Sequence, residues 1–365
     1  GDRFDWIVGG FYSSDEFEAF NVADSADFLG AFFDLPQAIW DVDQETDAWA
    51  LFASFDWHLS ERWTLVTGVR YTDEEIDFTG GTDLGAGGES LAPVTFTDDE
   101  FTDDNTSYRV ALEFRPNDDL LVYGSVSTGF KSGGFTGDFT FDPQELEPYD
   151  SEEVDAFELG TKATMAGGMV QLDAAVFYYD YQDIQTTIVS PSGLAFPLSN
   201  MDSADIYGVD FELTASPTEG LDLRVGAGYL DTEINDNSRG PDGALLFDGN
   251  DLPNSPEFQL FGLARYEFAI TSDLSMALQA DAKYTDETYK EASNDPLNFE
   301  DDYTVINGRI SLLGSDGRWE AALWGRNLAD EDYFQEVFTS TDLGIQSGFT
   351  GAPRTYGISF TYNIN

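Results

Sequence analysis

Apolar and polar residues alternate along long stretches of this chain. From Val170 to Tyr178 every second residue is apolar or aromatic, whereas Gln171 and Asp173 between them are polar. A period of two is typical of a β-strand with one apolar and one polar face. The preceding segment 157–163 alternates in the same way, and the glycines at 167 and 168 suit the positive φ angles of a tight turn. Residues 153–180 therefore predict a β-hairpin.

The same hairpin recurs down the chain, and its connections alternate between short and long. Short turns are centred near residues 60, 116, 166, 218, 272 and 315, and the long connections include 15–45, 79–104, 190–200, 235–256 and 329–353. Short turns at one rim and long loops at the other are typical of an outer-membrane β-barrel. The pattern predicts an all-β fold, an antiparallel meander of about 14 long strands that forms a transmembrane β-barrel.

A soluble β-sandwich would also show alternation. Its strands are usually about 5 to 6 residues long, however, and its loops lack the asymmetry between short and long. No run reaches the ~18 to 20 apolar residues of a membrane-spanning helix, and closed barrels are the other structures that satisfy backbone polar groups in lipid. We therefore expect one face toward lipid and the other toward the lumen. The residues expected to face lipid are Leu172, Val176, Leu223, Val225, Leu278, Ile310, Leu323, Ile358 and Phe360, and those expected to face the lumen include Asp173, Arg224, Asp281, Arg309 and Arg326.

The composition excludes several classes of function. The chain of 365 residues has no Cys and a formal net charge of -54. The lack of Cys excludes a disulfide framework and thiolate chemistry, and the charge is opposite to the basic surface that nucleic acids require. His58 is the only histidine, so no catalytic triad or zinc site of ordinary composition is expected. We predict that the protein is not an enzyme, carries no cofactor and binds no nucleic acid.

Two groups of charged residues remain as candidates for binding. The acidic clusters 98–100 and 103–104 carry the oxygen ligands that calcium prefers, and solvated loop charge is the plainer explanation for them. Seven basic residues on the faces assigned to the lumen are the predicted ligand-binding residues: Arg70, Arg109, Arg224, Arg265, Lys283, Arg309 and Arg326. They would either pair with acidic neighbours across the wall or steer an anionic ligand such as a ferric chelate.

Several segments resemble, in the same order, a known family. They are LLVYGSVSTGFKSGGF at 120–135, LEPYDSEEVDAFELGTK at 146–162, VQLDAAVFYYDYQDIQ at 170–185, WEAALWGRNLADEDYF at 319–334 and GAPRTYGISFTYNIN at 351–365. The chain resembles the C-terminal part of a TonB-dependent outer-membrane receptor over nearly its whole length. The resemblance implies a receptor in the outer membrane of a Gram-negative bacterium, which takes up a scarce ligand such as a ferric siderophore.

The resemblance also implies how this chain is organised. Residues 1–365 are expected to be one transmembrane β-barrel domain, the C-terminal part of a receptor barrel of about 22 strands. The plug domain and the first strands would precede Gly1. The implied partners are outer-membrane lipid, the small-molecule ligand, and the TonB energy-coupling system acting through the plug.

Two other functions stay open at this stage. The first is a passive, porin-like channel, and the second is a secreted, acidic, calcium-binding β protein. The closure of the wall is also open. These strands would form an open, curved sheet with exposed edges, or they would close as a narrower barrel in which the first strand pairs with 355–364.

Overall fold

The computed structural model describes residues 3–24, 37–86, 89–188, 195, 197–238, 246–314, 317–340 and 345–364. The strands in these ranges are β1 (Phe4–Asp24), β2 (Gln37–His58), β3 (Trp63–Ala86), β4 (Glu89–Asn117), β5 (Leu120–Lys131), β6 (Glu152–Met165), β7 (Val170–Thr187), β8 (Leu198–Thr218), β9 (Leu221–Asn235), β10 (Phe258–Thr271), β11 (Leu274–Thr285), β12 (Thr288–Tyr289), β13 (Phe299–Glu300), β14 (Tyr303–Gly314), β15 (Trp319–Arg326), β16 (Phe334–Ser340), β17 (Ile345–Thr350) and β18 (Thr355–Tyr362). Short 3-10 turns lie at Pro143–Leu146, Ala166–Gly168 and Pro296–Asn298. In the described ranges, no helix is long and apolar enough to cross a membrane.

One large antiparallel sheet dominates the fold. Among the described residues it has 14 strands, which follow in the order β1 to β11, β14, β15 and β18. Each strand pairs with its neighbour in that sequence, so the sheet is a meander, as predicted. The pairs β12–β13 and β16–β17 form separate two-stranded sheets in the connections.

The strand register divides the sheet into two continuous faces. Residues directly opposite each other in an antiparallel pair share a face. Val176, for example, lies opposite Leu159 on one side and Val209 on the other, and all three are exposed. We call the face that carries them the apolar face. The register places all nine residues expected to face lipid on the apolar face, and the five charged residues expected in the lumen on the opposite, polar face.

The sequence predicts two long connections where the structure has strands, so both of these predictions are wrong. The connection predicted at 15–45 is largely strand, because β1 continues to Asp24 and β2 begins at Gln37. The connection predicted at 79–104 is also strand, with β3 ending at Ala86 and β4 beginning at Glu89. The acidic composition of these segments resembles that of loops, but the alternation continues through them. The connection 329–353 likewise contains a hairpin, β16–β17.

The polarity of the two faces reverses in this extension of β1 to β4. On the polar side of the extension, Trp40, Val42, Ile76 and Phe78 are buried. They pack against the segment that follows β5, where Phe135 stacks on Phe78 with ring centroids 4.7 Å apart. On the other side the outward residues become acidic. A strand whose outward face is apolar in lipid and acidic in water must change the polarity of that face at the membrane surface.

Aromatic side chains that hydrogen-bond to aspartates mark the level of this reversal. The donors are hydroxyls or ring N–H groups on the apolar face, and the acceptors are carboxylates. The pairs are Tyr12 to Asp47 at 2.8 Å, Trp49 to Asp73 at 2.8 Å, Tyr178 to Asp205 at 2.6 Å and Tyr284 to Asp286 at 2.9 Å. Tyr and Trp concentrate at membrane–water interfaces because their rings are apolar and their polar ends are wet. The level therefore marks the membrane boundary on the side of the long connections.

The sheet has two free edges. In the part of the chain that the structure describes, β1 and β18 each pair with a single neighbour and not with each other. Both strands are largely exposed, including Ile358 at 85 %. Closure as a narrower barrel, through pairing of the first strand with 355–364, is therefore not found in the described residues, whose main sheet is open.

Candidate ligand site on the polar face

A cavity of about 820 Å³ lies against the polar face between β5 and β11. One register row crosses it: Lys162 lies opposite Asp173, and Asp173 lies opposite Glu212. The row continues through Gly226 and Phe261 to Lys283. Six neighbouring strands thus each contribute one residue to a single line across the wall.

The cavity exists because its floor lacks large side chains. Ala175, Gly226 and Gly228 face it from β7 and β9. Aromatic rings stand around this floor, among them Tyr123 and Phe177. A pocket with an apolar floor, aromatic walls and a few charged groups is typical of a small-molecule site.

The Phe177 ring lies over Gly208 on the neighbouring strand. A Cβ atom at position 208 would fall 2.0 Å from Phe177 Cζ, so only glycine lets the ring lie flat there. Tyr123 covers Gly160 in the same way, and its hydroxyl donates to Glu158 Oε1 at 2.6 Å. These contacts hold the aromatic walls of the cavity in place.

The charges in the cavity are balanced. Lys162 Nζ lies 3.5 Å from Asp173, and Arg224 Nε lies 3.8 Å from Glu212. Lys283 is the third cation of the lining. Both ion pairs are more than half exposed, so each contributes little to stability and a ligand can replace it at small cost.

Of the seven basic residues predicted as ligand-binding, the structure brings Arg224 and Lys283 together in this cavity. Arg265 and Arg309 lie on the same face but in other contacts. Arg265 pairs with Glu267 at 2.6 Å, and Arg309 pairs with Glu320 at 2.7 Å. Arg265 also lies 3.8 Å from Asp222 on β9, so both arginines have an acidic partner on a neighbouring strand, the alternative expected from sequence.

The remaining three predicted residues lie elsewhere on the polar face. The guanidinium of Arg70 lies 5.8 Å from the ring centroid of Phe11, and that of Arg326 lies 5.3 Å from Trp324. Arg109 lies opposite Gly68 and Ser127. These three residues are therefore not part of the cavity. Sequence reasoning missed Lys162, Asp173 and the aromatic walls as members of one site, because the register that aligns them is not visible in any one strand.

The acidic side of the β1 to β4 extension is a separate charged surface. Its outward carboxylates include two triads whose oxygens lie within 4.8 Å of one another: Glu16, Glu18 and Asp43, and Glu75, Asp77 and Glu100. All six residues are exposed. The neighbouring Glu100 carboxylate raises the pKa of Glu75 above its usual value, since two like charges this close disfavour ionisation. The exposure of all six residues is what solvated charge at the membrane boundary requires.

Comparisons with known proteins agree with this architecture. Residues 1–328 match the family described as TonB dependent receptor-like, beta-barrel. The probable TonB-dependent siderophore receptor PiuA of Acinetobacter baumannii is 21 % identical over 318 residues, which are 85 % of this chain and 40 % of the relative. The pesticin receptor of Yersinia enterocolitica is 26 % identical over 57 % of this chain and 28 % of its own length.

Solved structures show the same fold. The ferric yersiniabactin uptake receptor FyuA from Yersinia pestis superposes with a TM-score of 0.83 at 19 % identity, covering 100 % of this chain and 52 % of that one. The siderophore receptor PiuA from Acinetobacter baumannii gives a TM-score of 0.76 at 18 % identity, covering 98 % of this chain and 53 % of that one. This chain thus spans about half of these receptors or less. In their fold, a wall with an apolar and a polar face surrounds a lumen, and the chain belongs to the TonB-dependent receptor-like β-barrel family.

Proposed function

We propose that this chain forms the wall and extracellular connections of a receptor that takes up a scarce metal complex, such as a ferric siderophore, in an energy-coupled step. Membership of the family places the barrel in the outer membrane of a Gram-negative bacterium. The observation that carries the proposal is the cavity on the polar face, which lies within a barrel of this family. The names of PiuA and the pesticin receptor support a receptor rather than a passive channel or a secreted calcium-binding protein.

The rest of the receptor is part of the proposal. The free edges of β1 and β18 are suited to pairing with further strands, which would complete a barrel of about 22 strands. A plug inside that barrel would couple the receptor to TonB. In this arrangement residues 1–365 are one barrel domain, and the polar face borders the passage through the lumen.

The basic residues have a defined place in the proposal. Arg224 and Lys283 would contact the ligand in the cavity, with Lys162 as a third cation. Arg70, Arg109, Arg265, Arg309 and Arg326 would line the passage away from the cavity. Because Asp173, Asp210 and Glu212 also face the cavity, the site is suited to a ligand with both positive and negative groups, held by exchange of the existing ion pairs.

The experiment is iron uptake by the full-length protein in cells that lack their own siderophore receptors. Radiolabelled ferric chelates are supplied, and a protonophore control measures the energy-coupled part. The double variant Arg224→Glu, Lys283→Glu should lower the initial uptake rate at subsaturating chelate about tenfold, or ~1.4 kcal/mol. The matched control is Arg62→Glu in the β2–β3 turn, which should leave uptake unchanged. Uptake insensitive to the protonophore would favour a passive channel, and equal uptake by both variants would remove the cavity from the ligand path.

A further inference from the structure

Asp236 is a buried carboxylate that the wall and the cavity leave unexplained. It follows β9, at the root of the long connection to β10, and only 1 % of the residue is exposed. Its Oδ1 accepts hydrogen bonds from Ser238 Oγ at 3.0 Å and from the Asp202 backbone N–H at 3.4 Å. Its Oδ2 is fully buried and has no hydrogen-bond partner in the described part of the chain. A buried polar oxygen without a partner calls for a missing water or ion.

A second carboxylate lies beside it. The pairing of β8 with β9 reaches Ser203 opposite Asn235, so Asp202 and Asp236 are the next residues along the two strands. Asp202 Oδ2 accepts from the backbone N–H of Asn237 at 3.0 Å and from its side-chain amide at 2.8 Å. The side chain of each aspartate thus accepts a hydrogen bond from a backbone N–H of the opposing segment. Like charges placed opposite each other in this way are destabilising unless a cation compensates them.

The surroundings make compensation necessary. Met201, which precedes Asp202, and Ile234, two residues before Asp236, are 2 % and 0 % exposed. They belong to an apolar cluster with Phe247 packed against it. An ionised carboxylate buried next to apolar side chains loses its hydration, which is costly unless it is paired. The groups that hydrogen-bond to the two carboxylates in the described ranges are backbone N–H, amide and hydroxyl groups. None of them brings a positive charge.

We propose that Asp236 and Asp202 hold a calcium ion at the root of the β9–β10 connection. In this proposal Asp236 Oδ2 is the buried ligand, and the exposed carboxylate of Asp202 is the second ligand. Ser238 Oγ supplies a neutral oxygen, and water molecules complete the coordination shell. Calcium takes 6–8 oxygen ligands in flexible geometry, whereas magnesium demands a near-octahedral shell and keeps its waters. The ion ties the start of β8 to the start of this connection and so orders an extracellular loop. The exposed triads on the β1 to β4 extension have no buried, unpartnered oxygen of this kind.

The test is calcium binding by the full-length protein in detergent, measured by equilibrium dialysis with radioactive calcium. A solution of 0.5 M NaCl reduces the screening length to about 4 Å and weakens binding to exposed carboxylates. Wild-type protein should bind one calcium ion per chain more tightly than the calcium ions at exposed carboxylates. Asp236→Asn should weaken the binding of this one ion at least tenfold. Asp248→Asn, an exposed aspartate of the same connection, is the matched control and should bind as the wild type does.

A thermal melt gives a second readout with a second variant. Calcium should raise the melting temperature of the wild type more than magnesium does, and Asp202→Asn should reduce that rise. Because Asp202 is exposed, its variant folds even if Asp236→Asn does not. Equal calcium binding by wild type and both variants would overturn the proposal. An equal rise with magnesium would overturn the assignment to calcium.

Discussion

An arginine in place of Val225 should destabilise the wall strongly, because Val225 lies near the middle of the membrane. On β9 the residues of the apolar face are Leu221, Leu223, Val225, Ala227 and Tyr229. At about 3.4 Å per residue they span about 27 Å along the strand, and a strand tilt of about 40° reduces this to about 21 Å across the membrane. Val225 is central in this span and 46 % exposed. We expect Val225→Arg to lower the free energy of unfolding by about 2 to 4 kcal/mol.

Two further valines give matched controls for the same substitution. Val122 is also on the apolar face but lies two residues after the start of β5, near the opposite interface, where an arginine costs about 0 to 1 kcal/mol. Val66 is on the polar face directly opposite Asp56, so an arginine there gains a partner. The assay is urea unfolding in phospholipid vesicles, followed by tryptophan fluorescence. An equal loss at all three positions, or no loss at Val225, would refute the assignment of the apolar face to lipid.

Gly208→Ala should displace the Phe177 ring and destabilise the wall by about 1 to 3 kcal/mol, as measured by urea unfolding. Gly262→Ala is the control and should not destabilise the wall, because an added Cβ at position 262 meets nothing within 4 Å. Equal losses of stability in both variants would show that the contact with the ring is irrelevant. Glu75→Gln should raise the melting temperature at neutral pH. The raised pKa of Glu75 means that the folded state favours the protonated form, so the stability gained from protonation is present below the unfolded pKa of about 4.3 and is lost as pH rises through the folded pKa. The advantage of the glutamine should therefore vanish near pH 4, and an advantage that persists there would point to a cause other than charge repulsion.

The strands and their faces could be predicted because the information is local. In β7, lipid and water select alternate residues of one segment, so Leu172 and Asp173 are assigned correctly without their neighbours. The extension of β1 to β4 cannot be predicted from composition, because acidic residues are typical of loops. Its strands are visible only in the alternation, which Ile76 and Phe78 continue with the apolar residues on the opposite side.

The candidate site depends on information that no single strand carries. Lys162, Asp173 and Glu212 lie in one line only because two strand pairings, β6–β7 and β7–β8, are in a particular register. Arg265 and Arg309 look equivalent to Arg224 in the sequence, but carboxylates engage them at 2.6 and 2.7 Å. Arg224 lies 3.8 Å from Glu212 and is more than half exposed. The apolar cluster near Asp236 likewise combines residues of separate strands and connections.

The reversal of polarity at the membrane boundary can be measured directly on β3. Because the chain has no Cys, single cysteines can be placed along this strand in the full-length protein and treated in intact cells with a membrane-impermeant maleimide. Cysteines at Leu65, Thr67 and Val69 should be protected by lipid, and those at Asp73, Glu75 and Asp77 should react. A switch from protection to reaction between Tyr71 and Asp73 is the predicted result. Uniform reaction along these positions, or protection that continues to Asp77, would contradict the account of a membrane wall with an acidic extension.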